Sequence, residues 1–193
     1  MVSVQHGLPE NAKRLAAALY WEAFGQKLGI VMGPRAKALR FIERVIDPAH
    51  AISACDADGT LLGVVGFKTS QGALVGGSFQ DLTAVYGYVG ALWRAALLAA
   101  LDRETENTRF LMDGIFVTER ARGQGVGSIL LRAIIAEGQR RGYDSLRLDV
   151  INTNPRARAL YERHQFTALR TKTMGPLKHI FKFDSATTMI RYL

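Results

Sequence analysis

The chain has 193 residues, 48% hydrophobic and 22% charged, with 19 Gly, 5 Pro and a single cysteine, Cys55. This length and composition predict one globular domain over residues 1–193 and exclude disordered, collagen-like and disulfide-built classes. The net charge of +8 is uneven: residues 1 to 100 carry nine Lys/Arg against seven Asp/Glu, and the remainder sixteen against ten. A basic half of this kind suits nucleic acid or an anionic small ligand such as a pyrophosphate, and charge alone does not choose.

One cysteine permits no intramolecular disulfide, and His6, His50, His164 and His179 lack metal-site spacing, so no metal is expected. A reducing cytoplasm suits such a chain. From Met1 to Asn11 no basic segment leads into an apolar run, so no secretory signal is read there. The most membrane-like stretch, Ala84 to Leu101, is interrupted by Gly87, Gly90 and Arg94. It reads as a buried or interfacial helix rather than a span, with Tyr88, Leu92 and Trp93 as a candidate homodimer surface.

Taken in order, apolar residues at helical spacing (Leu15, Leu19, Phe24, Leu28) predict a helix from Glu10 to Leu28 ending at Gly29. A second helix starts at Pro34 and stops at Asp47-Pro48. Two apolar segments, Ala51 to Asp56 and Leu61 to Thr69, are joined by Asp58-Gly59, a strong hairpin signal. Gly72, Gly76 and Gly77 mark a loop, after which Asp81 or Thr83 caps a helix reaching about Leu101. Asp102 to Thr108 is polar and turn-like.

A strand follows from Phe110 to Val117, then a glycine-rich turn from Thr118 to Gly127 and an amphipathic helix from Ser128 to Arg141. Ser145 to Ile151 alternates as a strand. Asn154 and Pro155 open a helix reaching about His164, and terminal strands are expected near Phe166 to Thr173 and Thr187 to Leu193.

The informative stretch is Val117-Thr118-Glu119-Arg120-Ala121-Arg122-Gly123-Gln124-Gly125-Val126-Gly127, with Ser128 following. Glycines at 123, 125 and 127 admit positive φ and a close backbone approach. The N–H groups of the following helix favour an anion, and the planar fork of Arg122 suits phosphate oxygens. A dinucleotide fingerprint fits poorly, since five residues separate Val117 from Gly123 and Ser128 stands at the third glycine position. A P-loop is excluded because no Gly-Lys-Ser/Thr follows.

These residues resemble the GCN5-related N-acetyltransferases, whose signature is R/Q-x-x-G-x-G/A after a strand: Arg122, Gly125 and Gly127 match it. The resemblance extends to Asn154, Ala157, Leu160 and Tyr161, which look like the family's later N-x-x-A-x-x-L-Y-E pattern. Gln165 departs from it, standing where the family usually has Gly. The resemblance implies an α/β fold with a central mixed, mostly antiparallel sheet flanked by helices, and acetyl-CoA as cosubstrate with no metal. It also implies cofactor contacts from backbone groups of Phe116 and Val117, from Arg122 through Ser128 and from Asn154, with Tyr161 as the acid beside the cofactor sulfur. The acceptor is a small-molecule or peptide amine.

Each residue has a plainer reading. Asn154 serves equally as a helix N-cap, Tyr161 as a half-buried core tyrosine, and Asp113, the candidate base, as a strand carboxylate bonded to its neighbours. Glu22, Asp81 and Glu119 read as exposed, and His164 as filling a helix end where a cation is mildly favoured. A CoA-binding sensor or subunit without catalysis is the alternative function, against which Tyr161 argues. A nucleic-acid partner is not expected, because no recognition helix or interleaved basic-aromatic patch is legible.

Overall fold

The computed structural model describes residues 2–101, 109–175 and 183–193. The turn expected over Asp102 to Thr108, and His179, lie outside the described residues. Helix α1 (Lys13–Met32) and α2 (Arg35–Val45) follow a short strand β1 (Ser3–His6) that period and composition did not reveal. Helix α1 runs through Gly29, whose carbonyl accepts from Gly33 N–H, so the stop falls at Gly33-Pro34, where proline cannot continue the ladder.

The expected hairpin is β2 (Ala51–Cys55) and β3 (Leu61–Thr69). Its turn is fixed by Asp56, whose Oδ1 accepts from the N–H groups of Asp58 and Thr60, and by Gly59 at φ 78°. Within the predicted glycine loop, β4 (Gly72–Ala73) pairs with the end of β3. The strands β5 (Arg109–Val117) and β6 (Ser145–Ile151) carry the expected motif residues, with α4 (Val126–Arg140) between them. Helix α5 (Pro155–Arg163), β7 (Thr167–Thr173) and β8 (Ser185–Tyr192) complete the order.

One sheet runs β1-β2-β3-β5-β6-β8-β7, with β4 at the end of β3, and every neighbouring pair is antiparallel except β5 and β6. The expected mixed, mostly antiparallel sheet flanked by helices is therefore present. On one face α4 and α5 bury Leu130, Ile134 and Tyr161 against Phe110, Leu146 and Leu148. On the other, α1, α2 and α3 enclose Phe41, Ile42, Leu82 and Tyr86. Leu146, Leu148 and Val150 share the α4 face as their alternation requires, while Arg147, expected on the opposite face, is also buried.

Helix α3 (Phe79–Leu101) is kinked at Gly87, whose φ of 72° and ψ of 170° no helix contains. It is the one helix among the described residues long and apolar enough to cross a membrane by length and composition. Arg94, flat on the rings of Tyr86 and Trp93 at 4.0 and 4.1 Å, donates to Gly33 O and docks α3 on α1. The stretch is not buried as a whole, since Tyr88 and Val89 are 70% and 80% exposed.

The cap of α3 is neither Asp81 nor Thr83 but Ser78. Asp81 N–H donates to Ser78 Oγ, and Ser78 N–H and Oγ donate to Asp81 Oδ2, a reciprocal capping pair three residues apart. Asp81 is thus not the plain exposed carboxylate expected. The Ser78 side-chain and backbone hydrogen bonds, with Arg44 Nε at 2.8 Å, hold its carboxyl at about 2.

Because that value lies below the ordinary 3.8, the carboxylate's contribution to stability is present above 3.8 and lost as the pH falls toward 2. Ser78→Ala is expected to cost about 1 kcal/mol and to raise the Asp81 midpoint. Denaturant unfolding and carboxyl NMR titration check both, and an unmoved midpoint would show that Ser78 is not the cause.

Candidate active site

The site begins where the only parallel pair comes apart. Strands β5 and β6 pair at Arg109↔Ser145, Phe110↔Leu146 and Leu111↔Arg147 and nowhere further, although β5 runs to Val117 and β6 to Ile151. Beyond Leu111, β5 stays bonded to β3, and β6 stays bonded to β8 through Ile151. The two strands diverge, leaving an opening about 13 Å deep along β6 at the usual strand rise.

Backbone alternation decides which amides face it. Thr118 N–H donates to Leu62 O at 2.8 Å, so Thr118 faces β3. Residues i and i+2 of a strand point the same way, which turns the backbone groups of Phe116 toward β3 and those of Ile115 and Val117 toward the opening. The Val117 carbonyl, accordingly, accepts from Arg122 Nε at 3.2 Å instead of from β3. Of the two residues the resemblance singled out, Val117 presents its backbone to the opening, and Ile115, which sequence reading missed, joins it. Phe116 contributes its side chain to the opposite face, edge-on to Tyr20 at 5.9 Å.

At the mouth, the turn after β5 makes a short 3-10 helix at Glu119–Ala121 and then enters α4. Gly123 and Gly125 have φ of 78° and 81°, and a Cβ on either would meet nothing within 4 Å. These two glycines serve the chain's left-handed path and leave open space above it. Gly127 differs: its φ is ordinary, and a Cβ there would touch Leu160 Cδ2 at 3.4 Å. That is an ordinary contact distance, so the packing of α5 on α4 would admit an alanine there. The α4 N-terminus has no side-chain cap, so the first-turn N–H groups at Val126, Gly127 and Ser128 have neither an intrahelical acceptor nor a capping side chain. Gln124 folds back, its Nε2 donating to Arg120 O at 2.7 Å.

Arg122 is not a lone surface charge. Its guanidinium donates to Glu22 Oε1 at 2.5 Å, and both side chains are about half exposed. Glu22, read from sequence as a plain exposed residue, thus anchors the turn to α1. An exposed pair of this kind is worth little in stability, and it leaves the arginine able to exchange partners.

Tyr161 is 5% exposed, packed with Phe166 at 6.0 Å between ring centroids. Burial pushes its phenol well above the ordinary value, so it is protonated at every working pH. Among the described residues nothing hydrogen-bonds its hydroxyl. Asn154 is the α5 N-cap, its Oδ1 accepting from Ala157 N–H at 3.1 Å. At the other end Gln165 takes φ 65°, the left-handed cap that Gly usually fills, closed by Phe166 N–H on Tyr161 O at 3.1 Å. His164 does stand at that helix end, but burial and then Arg132, Arg191 and Arg163 lower its pKa, favouring the neutral ring over the expected cation.

Asp113 sits on a β-bulge. Gly66 pairs with Gly114 and Phe67 with Met112, which leaves Asp113 unopposed on β5. The bulge places Asp113 and Gly114 on the α1 face together: Gly114 lies against Phe24, whose ring would be 2.3 Å from a Cβ there. The Asp113-Gly114 dipeptide inside a strand pattern is the sequence signal that could have located it. Asp113 borders a cavity of about 500 Å³ between α1, α2, α3 and the sheet. Among the described residues no group of three or more His, Cys, Asp and Glu is placed to hold a metal.

A mixed sheet that splays at its one parallel pair, with a glycine turn and the uncapped N-terminus of α4 at the mouth, is thus the frame of the site. Comparison with known proteins gives its class. The Acetyltransferase (GNAT) family profile matches residues 16–166. An N-acetyltransferase from Staphylococcus aureus Mu50 superposes with a TM-score of 0.67 at 15% identity, over 98% of this chain and 100% of that one. A GCN5-related N-acetyltransferase from Kribbella flavida gives 0.64 at 16% identity, over 100% and 98%. The ribosomal-protein-S18-alanine N-acetyltransferase from Escherichia coli gives 0.56 at 16%, over 100% and 94%. No curated protein matches the chain in sequence. The chain belongs to the GNAT family and is an acetyltransferase.

Two outcomes follow from the geometry. Gly123→Ala and Gly125→Ala are each expected to cost about 1–2 kcal/mol through positive φ alone, whereas Gly127→Ala stays within roughly 0.5 kcal/mol; equal losses at all three in chemical unfolding would contradict the division of roles. In an ultraviolet titration, Tyr161→Phe should leave the tyrosinate amplitude below about pH 11 unchanged, and a lost step there would show an accessible phenol.

Proposed function

We propose that the chain moves an acetyl group from acetyl-CoA to a primary amine by direct attack. The observation that carries this reading is the opening between β5 and β6, where the amides of Ile115 and Val117 face a channel that leads to the uncapped N-terminus of α4. An extended amide-bearing arm fits the channel by strand-like hydrogen bonding, and a pyrophosphate fits the N–H groups of Val126, Gly127 and Ser128 over the open space at Gly123 and Gly125. Arg122 reaches a phosphate by leaving Glu22, and the Asn154 Nδ2 group remains free to donate because only its Oδ1 caps the helix. The donor, when bound, supplies an acyl thioester.

The remaining chemistry belongs to the chain. The Ile115 N–H, turned to the opening beside the bulge, supports the charge that develops on the carbonyl oxygen as the amine attacks. The carbon-nitrogen bond forms and the carbon-sulfur bond breaks. Asp113 takes the proton lost by the amine, directly or through water. Tyr161, kept protonated by burial, gives a proton to the departing sulfur and regains one from solvent. A thiol's pKa near 8.5 makes its anion a fair leaving group, so this acid accelerates the step without being indispensable.

Saturating CoA is expected to raise the midpoint of thermal unfolding by mass action, and Tyr161→Phe to lower kcat roughly 10²-fold while leaving the Kd for acetyl-CoA unchanged. An unmoved midpoint together with no heat of binding would remove the cosubstrate. Full kcat in the Tyr161→Phe chain, where the chemical step limits turnover, would return Tyr161 to a packing role.

A further inference from the structure

The cavity beside Asp113 has the size and lining of a small-molecule site, and its walls are chemically one-sided. Helix α1 contributes Tyr20 and Phe24, α2 Phe41, and α3 Phe79, Leu82 and Leu98. Among the described lining residues the only carboxylate is Asp113 and the only cation is Lys68. Both sit at one end. Lys68 pairs with Leu111 across β3 and β5, and its neighbour Phe67 points into the α4 side of the core, so Lys68 and the bulged Asp113 share the α1 face. The pole formed by Lys68 and Asp113 is polar, and the remainder of the described lining is aromatic and aliphatic.

A ligand with a second or third ammonium group would have to place it against those rings or beside Lys68, with no second carboxylate among the described lining residues to receive it. A desolvated, unpaired cation is among the costliest groups to bury. An amine with an apolar body instead places its nitrogen at the Asp113 end, next to the opening of the sheet, and fills the rest of the volume. Around 500 Å³ holds a phenyl ring with a short chain and excludes a folded polypeptide. Gly114 is part of this fit, since any side chain there would displace Phe24 from the wall.

We infer that the acceptor is a compact primary amine with one positive charge and an aromatic or aliphatic body, bound in the cavity between α1, α2, α3 and the bulge of β5. The inference rests on the transfer reading above and adds the acceptor's class to it. It places polyamines and aminoglycosides outside the preferred acceptors.

The test assays thiol release from acetyl-CoA with phenylethylamine, phenylalanine, spermidine and kanamycin, alongside binding of phenylethylamine followed by ligand-observed NMR. The better of the two phenyl compounds is expected to exceed spermidine and kanamycin by at least roughly 10²-fold in kcat/KM, the scale a complementary pocket achieves. Which of the two is better shows whether Lys68 receives a carboxylate. Ala95→Phe, which fills the cavity from α3, is expected to raise KM for the phenyl compound at least roughly tenfold with CoA binding kept.

Equal or better turnover of spermidine or kanamycin would overturn the inference and leave the transfer reading intact. Phenylethylamine binding that Ala95→Phe abolishes, without transfer to any amine, would uphold the pocket's class and overturn the transfer reading. Neither binding nor transfer of the phenyl compounds would overturn the inference.

Discussion

The site depends on three consecutive residue pairs. Because β5 and β6 bond only at Arg109, Phe110 and Leu111 and then part, two strand edges inside a continuous sheet are left with backbone groups that no neighbouring strand pairs. Such an edge costs free energy unless something pairs with it, since backbone N–H and C=O groups seek partners. The flanking ladders hold the strands apart: β5 to β3 out to Val117 and β6 to β8 out to Ile151. The opening is therefore as rigid as the sheet itself, and an extended ligand with amide groups is its natural complement.

Everything else positions chemistry around that opening. The glycine turn carries the chain from the end of β5 to the start of α4 by two left-handed residues, so that α4 aims its N-terminus at the mouth. Helix α5 passes α4 with Leu160 near Gly127, and it carries Tyr161 into the core on the same face. On the other face, the bulge turns Asp113 toward the cavity without breaking the ladder to β3. The proposed acid, Tyr161, and the proposed base, Asp113, thus lie on opposite faces of one sheet, in surroundings that treat them differently. Burial keeps Tyr161 neutral, and Asp113 borders a cavity.

Much of this was legible in the sequence. Strand β6 and helix α5 stand where alternation and the Asn154-Pro155 start signal place them, and the Asp58-Gly59 hairpin is as expected. The turn after Val117 was readable because positive φ at Gly123 and Gly125 leaves a compositional mark. What was not legible depends on tertiary contacts. Strand β1 is four exposed residues whose only reason to be extended is the edge of β2. The engagement of Arg122 by Glu22 joins residues 100 apart, and no local pattern encodes it. The face on which an amide lies depends on register, so Ile115 escaped notice while Phe116 was counted. The cavity beside Asp113 is built by α1, α2, α3 and the sheet, and the helix residues follow no motif; its one clue was a glycine after an aspartate inside a strand.

The account stands on the orientation of the β5 amides, and residue-resolved hydrogen exchange reads that orientation directly. In the free protein the Ile115 and Val117 amides should exchange much faster than that of Phe116, which is bonded to β3. With saturating acetyl-CoA, Val117 and Ile115 should become protected while Phe116 changes little. Slow exchange at Ile115 and Val117 in the free protein, or no added protection with acetyl-CoA, would contradict the claim that the opening between β5 and β6 receives the acetyl donor.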